Sequence, residues 1–279
     1  MVCKLESDLV NRITDSSEPL ILAIDTATRT GSVALASGAN LLHLQTGDKQ
    51  SSHSVDLIAN IDAALKTIGA KLSEVELFAA ASGPGSFTGL RIGLATIKSF
   101  AVSVGKQCVG VPTLAAIAHA AGASVRTVAL LPAGRGEVFA QLFSVDADHV
   151  LPLDTAAHIT PAALLERYGS LESLTWAGEG AHSNAKVLCD RARVMGIAWD
   201  DLNHQSLLRS TGWMLALRRD ELAGSISALA FNEHSAGRTT SPEELRAIYV
   251  RPSDAEINER WQSEKSEVSA PRQESQSSE

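Results

Sequence analysis

One stretch, residues 82–93, limits what this chain can fold into more than any other feature. It has the sequence SGPGSFTGLRIG and follows a short apolar run, residues 77–81, that is typical of a buried strand. After it, apolar residues recur three or four positions apart as far as Val104, which predicts a helix. Gly83 and Gly85 flank a proline and predict a sharp turn. The stretch therefore predicts a strand, a glycine turn and a helix, which together form one limb of an α/β fold.

A glycine turn at the start of a helix can bind phosphate, because the free backbone N–H groups there attract anions. The spacing fits neither common version of such a site. A P-loop needs Lys after its last glycine, whereas Gly89 is followed by Leu90. A dinucleotide-binding turn from Gly83 would need its third glycine at position 88, which is Thr88, one residue before Gly89. The alternative is that the glycines serve packing. Gly89 and Gly93 lie one helical turn apart and would let another helix or the sheet approach the backbone closely.

The fold is predicted to start with a buried strand over residues 20–24, before a polar turn that begins with Asp25. The Asp25 carboxylate can serve metal-bound phosphate, or it can close an Asx turn on its own backbone, which we favour. The remaining elements are predicted from periodicity and turn residues. Strands are expected at 32–36, 41–45, 107–111, 127–131, 137–143 and 174–177, and helices at 4–13, 51–69, 114–121, 161–168, 183–194 and 213–222.

Charge and cysteine content exclude several classes of protein. The formal net charge is −8, and residues 252–279 alone hold seven acids and three bases, so the chain lacks the basic surface that neutralises nucleic-acid phosphates. Three distant cysteines suggest no disulfide framework, which fits a reducing cytoplasm. The charged N-terminus does not fit a signal peptide, and no apolar run approaches the ~18 residues of a membrane span. We therefore expect a soluble cytoplasmic protein.

The segment GPGSFTGLRIG, after a strand and opening a helix, resembles the signature of the TsaB (YeaZ-like) family of tRNA threonylcarbamoyladenosine biosynthesis proteins. Further similar segments follow in order over roughly residues 20–250. The resemblance implies an actin-like fold, as in sugar kinases and heat-shock ATPases, with two tandem α/β domains whose mixed sheets are flanked by helices. The domains are expected at 19–123 and 124–251, between an N-terminal extension (1–18) and a disordered acidic tail (252–279).

The resemblance also implies a subunit without catalytic residues, metal or cofactor. The catalytic relative TsaD carries a helical histidine pair that binds metal, whereas no two of the eight histidines here lie three or four residues apart. His53, near the start of the helix at 51–69, has no companion at ligand spacing. One further departure is the turn at Pro132-Ala133-Gly134-Arg135, which usually contains Asp-Ala-Arg-Arg in the family, so any role of that Asp is in doubt.

Two sets of candidate site residues follow from the resemblance. A nucleotide would be held by the loop after the first strand and by the glycine turn, at Asp25, Thr26, Gly83 and Gly85. A partner would bind the two helices of the first domain, at Leu57, Ile61, Leu65, Leu90, Gly93, Leu94 and Ile97. Sequence does not decide which stripe of each helix faces outward.

The expected partners are a TsaD-like catalytic subunit and a TsaE-like ATPase, with tRNA contacted only through the complex. The free protein could form a homodimer through the same patch. Two alternatives from other classes stay open: an actin-like small-molecule kinase or ATPase that uses Asp25 and the Gly83 turn, and a glycoprotease-like metallopeptidase.

Overall fold

The computed structural model describes residues 18–47, 53–146, 149–201 and 211–250. The predicted helix at 4–13, the first two residues of the helix predicted at 51–69, and the acidic tail at 252–279 lie outside the described residues, as does the side chain of His53. The described residues form two sheets flanked by helices, so the predicted mixed α/β class is confirmed.

The first sheet has five strands in the order β3-β2-β1-β4-β5. Strand β1 pairs antiparallel with β2 and parallel with β4, and β4 pairs parallel with β5. The strands are β1 (Leu20–Asp25), β2 (Ser32–Ser37), β3 (Asn40–Thr46), β4 (Leu77–Gly83) and β5 (Gln107–Pro112). Every residue of β1, β2 and β4 is buried, as the continuous apolar runs predict for strands covered on both faces.

Helices cover both faces of this sheet. Alternate residues of β1 belong to different core clusters, because successive side chains of a strand point to opposite faces. Helices α1 (His53–Ile68) and α2 (Phe87–Val104) contribute to the cluster on one face, and α3 (Thr113–Ala120) and α7 (Ala223–Ser235) to the cluster on the other. A short 3₁₀ turn, Leu72–Glu74, leads into β4.

The second sheet has the strand order β11-β12-β10-β6-β7-β8, with β9 also paired to β7. Its strands are β6 (Ser124–Gly134), β7 (Glu137–Val145), β8 (Val150–Pro152), β9 (Ala157–Ile159), β10 (Ser173–Ala177), β11 (Trp199–Asp201) and β12 (Gly212–Leu215). Helices α4 (Pro161–Tyr168), α5 (Glu179–Ser183) and α6 (Ala185–Val194) pack beside it. One face of the sheet buries an aromatic core of Tyr168, Trp176 and Trp213.

The predicted helix over residues 213–222 is wrong. Residues 212–215 form β12, which pairs parallel with both β10 and β11. Trp213 is fully buried there, and its indole N–H donates to the backbone carbonyl of Leu171 over 2.7 Å. Local helix propensity is therefore overridden by strand pairing and aromatic packing. The predicted helix over residues 183–194 is also divided, since α5 ends at Ser183 and α6 begins at Ala185.

Helix α7 was not predicted, and it connects the last part of the chain to the first sheet. It packs on β1, β2, β4 and β5, after the chain has passed through the second sheet. Beyond α7, Thr240 and Cys108 exchange two backbone hydrogen bonds of 2.9 Å at the edge of β5. The division into domains at 19–123 and 124–251 stays a prediction.

Helix α2 corrects one expectation about apolar runs. It is 18 residues long with a mean hydropathy of 1.2, so by length and composition alone it could cross a membrane. Its apolar side chains at Leu94 and Ile97 are buried in the core under the first sheet. The core helices of soluble proteins have the same length and composition, so the feature is weak evidence for a membrane.

Candidate functional site

The glycine turn lies at the end of β4 and starts α2, as predicted. Ser86 is the N-cap of the helix, and its hydroxyl oxygen accepts a hydrogen bond from the Gly89 N–H over 3.2 Å. The Ser86 N–H in turn donates to the carbonyl of Ala27 over 2.8 Å. Two of the N–H groups that a phosphate could use at this helix start, those of Ser86 and Gly89, are therefore bonded within the chain.

The loop after β1 fills the notch that the glycines create. The Thr26 hydroxyl donates to the Gly89 carbonyl over 2.7 Å. A Cβ at Gly89 would collide with the Thr26 carbonyl, one at Gly93 would collide with the Thr26 hydroxyl, and one at Gly85 would lie 2.6 Å from the Ala27 carbonyl. The close approach predicted at Gly89 and Gly93 is confirmed, and the approaching group is the Thr26 loop. We call these contacts the loop interlock.

The other side of the glycine turn is covered by the C-terminal part of the described chain. We call residues 240–250 the strap. The Ile248 N–H donates to the Ser82 carbonyl over 2.6 Å, and the Ile248 carbonyl lies where a Cβ at Gly83 would be. Leu245 is buried, and its Cδ1 lies 2.8 Å from where a Cβ at Gly110 would be. Gly83 and Pro84 are therefore buried between the loop interlock and the strap, whereas residues 86–88 at the start of α2 are exposed.

Asp25 closes the Asx turn that we favoured from the sequence. Its Oδ1 accepts hydrogen bonds from the N–H groups of Ala27 (2.8 Å) and Thr28 (3.3 Å), and its Oδ2 accepts one from the Thr28 hydroxyl. The Asp25 side chain is buried. The structure thus brings Asp25, Thr26, Gly83 and Gly85 to one end of the sheet, where the polar groups described above bond to the chain itself. Their role in binding nucleotide stays a prediction.

Cys108 lies buried beside the strap. Burial raises the pKa of its thiol to about 11. The charge of Lys98 lowers this pKa and the charge of Glu243 raises it, both by less than burial does. A thiol held neutral in this way is a weak nucleophile at physiological pH.

The seven predicted interface residues are all buried inside the chain. Leu57, Ile61, Leu65, Leu94 and Ile97 share one core cluster, Leu90 belongs to the other, and Gly93 faces Thr26. Their side chains are used in intramolecular packing. An interface formed by α1 and α2 would therefore present the opposite faces of these helices.

Those outward faces combine small and apolar side chains with the exposed charges of Asp62, Lys66 and Arg91. On α1, Ile58 is 55% exposed, and Ala59 and Ala63 are exposed beside it. On α2 the exposed residues include Thr88, Ala95, Ser99 and Val102. Sequence reasoning missed these positions because it selected apolar residues of the two helices, and the structure buries the ones that it selected. We call this surface the helix-pair face.

The described histidines do not form a metal site. His119 pairs with Ser225, His158 with Glu137 and His182 with the carbonyl of Ala216, each in a different part of the structure. Among residues 18–47, 53–146, 149–201 and 211–250, no three His, Cys, Asp or Glu side chains are grouped so that they could hold a metal ion. The residues present in this part of the chain do not fit a metal.

Comparison with known proteins gives consistent matches. The family model for TsaD, tRNA N6-adenosine threonylcarbamoyltransferase, matches residues 48–266. The tRNA threonylcarbamoyladenosine biosynthesis protein TsaB of Escherichia coli is 28% identical over 238 residues, which are 83% of this chain and 94% of that protein. TsaB of Haemophilus influenzae is 34% identical over 101 residues, or 36% of this chain and 42% of that protein.

A solved structure shows the same fold. YeaZ from Pseudomonas aeruginosa superimposes with a TM-score of 0.63 at 23% identity, covering 83% of this chain and 99% of that one. The two sheets flanked by helices, together with this match, fit the actin-like fold that the sequence predicts.

Proposed function

The chain belongs to the TsaD family and is TsaB-like, and from that premise we propose that it is a non-catalytic scaffold subunit in tRNA modification. Its relatives are named for the biosynthesis of threonylcarbamoyladenosine in tRNA, and this chain takes part in the same process. In the proposed role it binds and supports a TsaD-like catalytic subunit, which modifies the adenosine next to the anticodon.

The loop interlock is the observation that carries the non-catalytic part of the proposal. The resemblance implies that in active actin-like enzymes an acidic residue after the first strand, together with the turn that follows it, serves metal-bound nucleotide phosphate. In this chain the Asp25 carboxylate closes its own turn, Thr26 packs against Gly89, and the strap lies over Gly83. The missing helical histidine pair supports the same proposal, because the catalytic relative would use that pair to hold its metal.

The helix-pair face supports the proposed contact with TsaD. Small exposed side chains allow close approach of another helix, and the exposed Ile58 and Val102 offer apolar anchors. A TsaD-like subunit of the same fold would present two equivalent helices, which gives a four-helix contact. A second copy of this chain could use the same face when the partner is missing.

The remaining partners follow from the role. A TsaE-like ATPase would join the assembly of the two related subunits, and tRNA would be contacted through the complex, since this chain has a formal net charge of −8. A role in tRNA modification is exercised where tRNA is found, and we therefore propose the cytoplasm as its location.

Reconstitution tests this role. The purified chain should not transfer threonylcarbamoyl groups to tRNA, while a TsaD and TsaE mixture from the same organism should gain activity when the chain is added. The matched comparison adds the Ile58→Glu variant to the same TsaD and TsaE mixture instead of the wild-type chain. The variant should restore less activity, because it places a charge on the helix-pair face. Transfer by the chain alone, or full activity of the mixture without it, would contradict the proposal.

The kinase or ATPase alternative has its own test. Calorimetry with magnesium and ATP should show no tight binding to the isolated chain, because the Asp25 carboxylate and the Thr26 hydroxyl are already hydrogen-bonded within the chain. Tight, stoichiometric binding would favour that alternative over the scaffold role.

A further inference from the structure

Exposed aromatic side chains cluster where the strap meets the start of α2. We call Phe87, Arg91, Ile248 and Tyr249 the strap patch. The Phe87 and Tyr249 ring centroids are 5.4 Å apart, and the Arg91 guanidinium carbon lies 4.0 Å from the Phe87 centroid. Phe87, Ile248 and Tyr249 are 37%, 42% and 48% exposed. Phe, Tyr and Arg are enriched where proteins bind one another, so the composition indicates a contact surface.

The patch is held in place before any partner arrives. The 2.6 Å hydrogen bond from the Ile248 N–H to the Ser82 carbonyl fixes the backbone next to Tyr249. Leu245 anchors the strap by burying its side chain in the core. A surface ordered in advance loses little conformational entropy on binding, which favours affinity.

The charge of α2 indicates what the partner would carry. Residues 87–104 contain Arg91 and Lys98 and no carboxylate, although the whole chain has a formal net charge of −8. Within the described residues, Arg91 forms no ion pair and contacts the Phe87 ring instead. A carboxylate opposite Arg91 would complement this local positive charge.

A protein partner fits the patch better than a nucleic acid. Single-stranded RNA binds to aromatic rings whose faces are free for stacking, and to basic grooves that follow the phosphates. The Phe87 ring is already in contact with both Arg91 and Tyr249. The acidic balance of the chain also opposes phosphate binding.

We propose that the strap patch is a second contact site for the TsaD-like subunit, which would place an apolar side chain flanked by a carboxylate against it. This inference rests on the proposed function. Arg91 lies on the exposed stripe of α2 that also carries Thr88 and Ala95, so the patch begins at the edge of the helix-pair face and extends the contact to Ile248 and Tyr249 of the strap. The strap would thereby take part in partner binding as well as in covering the glycine turn.

Calorimetric titration of the full chain with the purified TsaD of the same organism tests the inference. Arg91→Glu and Tyr249→Ser should each raise the dissociation constant about tenfold. The matched control is Arg126→Glu, which makes the same charge change at an exposed position on β6 and should bind like the wild type. Arg91→Lys keeps the charge and should show an intermediate effect. Melting curves within about 2 °C of the wild type would show that the patch variants are folded, as expected for exposed positions.

Three results would overturn the inference in distinguishable ways. If Ile58→Glu weakens binding while both patch variants bind like Arg126→Glu, the patch is not part of the interface and the proposed function stands. If the wild-type chain does not bind TsaD, the inference and the proposed function fail together. If light scattering shows a wild-type dimer that Arg91→Glu dissociates, without any loss of TsaD affinity, the patch binds a second copy of the chain instead.

Discussion

The hydroxyl of Thr26 donates a 2.7 Å hydrogen bond to the backbone carbonyl of Gly89, joining the loop after β1 to the first turn of α2. The contact is possible because residues 89 and 93 lack side chains on the helix face that meets this loop. The glycines of this turn therefore serve packing, although their pattern resembles that of a phosphate site. The same contact explains why we assign this chain a supporting role.

Gly89→Ala should destabilise the fold. The new methyl group would collide with the Thr26 carbonyl. Because this carbonyl belongs to the backbone of a buried loop, it cannot rotate away as a flexible side chain could, and we expect a loss of about 3 kcal/mol in the free energy of unfolding. The matched control is Gly224→Ala in α7, where the nearest atom to the new Cβ is Leu41 Cδ2 at 3.7 Å. That variant should be neutral or about 0.5 kcal/mol more stable. Urea unfolding measures both, and equal stabilities would contradict the interlock.

Asp25→Ala should lower stability without any ligand present. The substitution removes the acceptor for the N–H groups of Ala27 and Thr28, and Asp25 is buried, so we expect a cost of about 1–3 kcal/mol. Asp25→Asn keeps one acceptor oxygen and should cost less. Thermal unfolding of the isolated chain checks the order. A variant as stable as the wild type would show that Asp25 is kept for a ligand instead of for the turn.

Buried and exposed positions on α1 and α2 should respond differently to truncation. Leu94→Ala should cost about 2–5 kcal/mol, because Leu94 is 6% exposed and packs in the core under the first sheet. Ile58→Ala should change stability by about 0.5 kcal/mol or less, since Ile58 is 55% exposed. Denaturant unfolding measures the difference. A large loss at Ile58 would mean that the helix-pair face is already covered within the chain.

Cys108 should make the fold less stable at high pH. Burial raises the pKa of its thiol from an ordinary value of 9.0 to about 11, so the folded state holds this proton more tightly than the unfolded state does. The stabilisation is complete below pH 9 and is lost as the pH rises to about 11, by about 2 kcal/mol. Tyr and Lys residues titrate in the same range, so the comparison is with Cys108→Ala. The stability gap between wild type and variant should shrink from pH 8 to 11, and a constant gap would contradict the prediction.

Strong local signals predicted most of the first sheet correctly. The continuous apolar runs at residues 20–24 and 77–81 became fully buried strands, and the predicted glycine turn leads directly into α2. The prediction failed at residues 213–222, where a sequence with good helix propensity forms β12 because β10 and β11 offer pairing partners. Propensity carries no information about which distant strands are available.

For the candidate site, the sequence identified the right segments and could not identify the right faces. The residues named on α1 and α2 are the ones that the core uses, whereas Ile58, which was not named, is 55% exposed. A wide apolar stripe on a helix has the same sequence pattern whether the sheet alone covers it or the sheet and a partner cover it together. Only the position of the sheet shows which residues of the stripe are buried within the chain.

The sequence by itself determined the fold class, the glycine turn and the family resemblance, because these depend on short-range periodicity, turn chemistry and residue spacing. Tertiary structure alone decided that Thr26 and Ile248 enclose the turn, and that α7 returns to the first sheet. Those contacts join residues far apart in the chain. Their formation depends on which surfaces remain after the sheets have assembled, and no local pattern records that outcome.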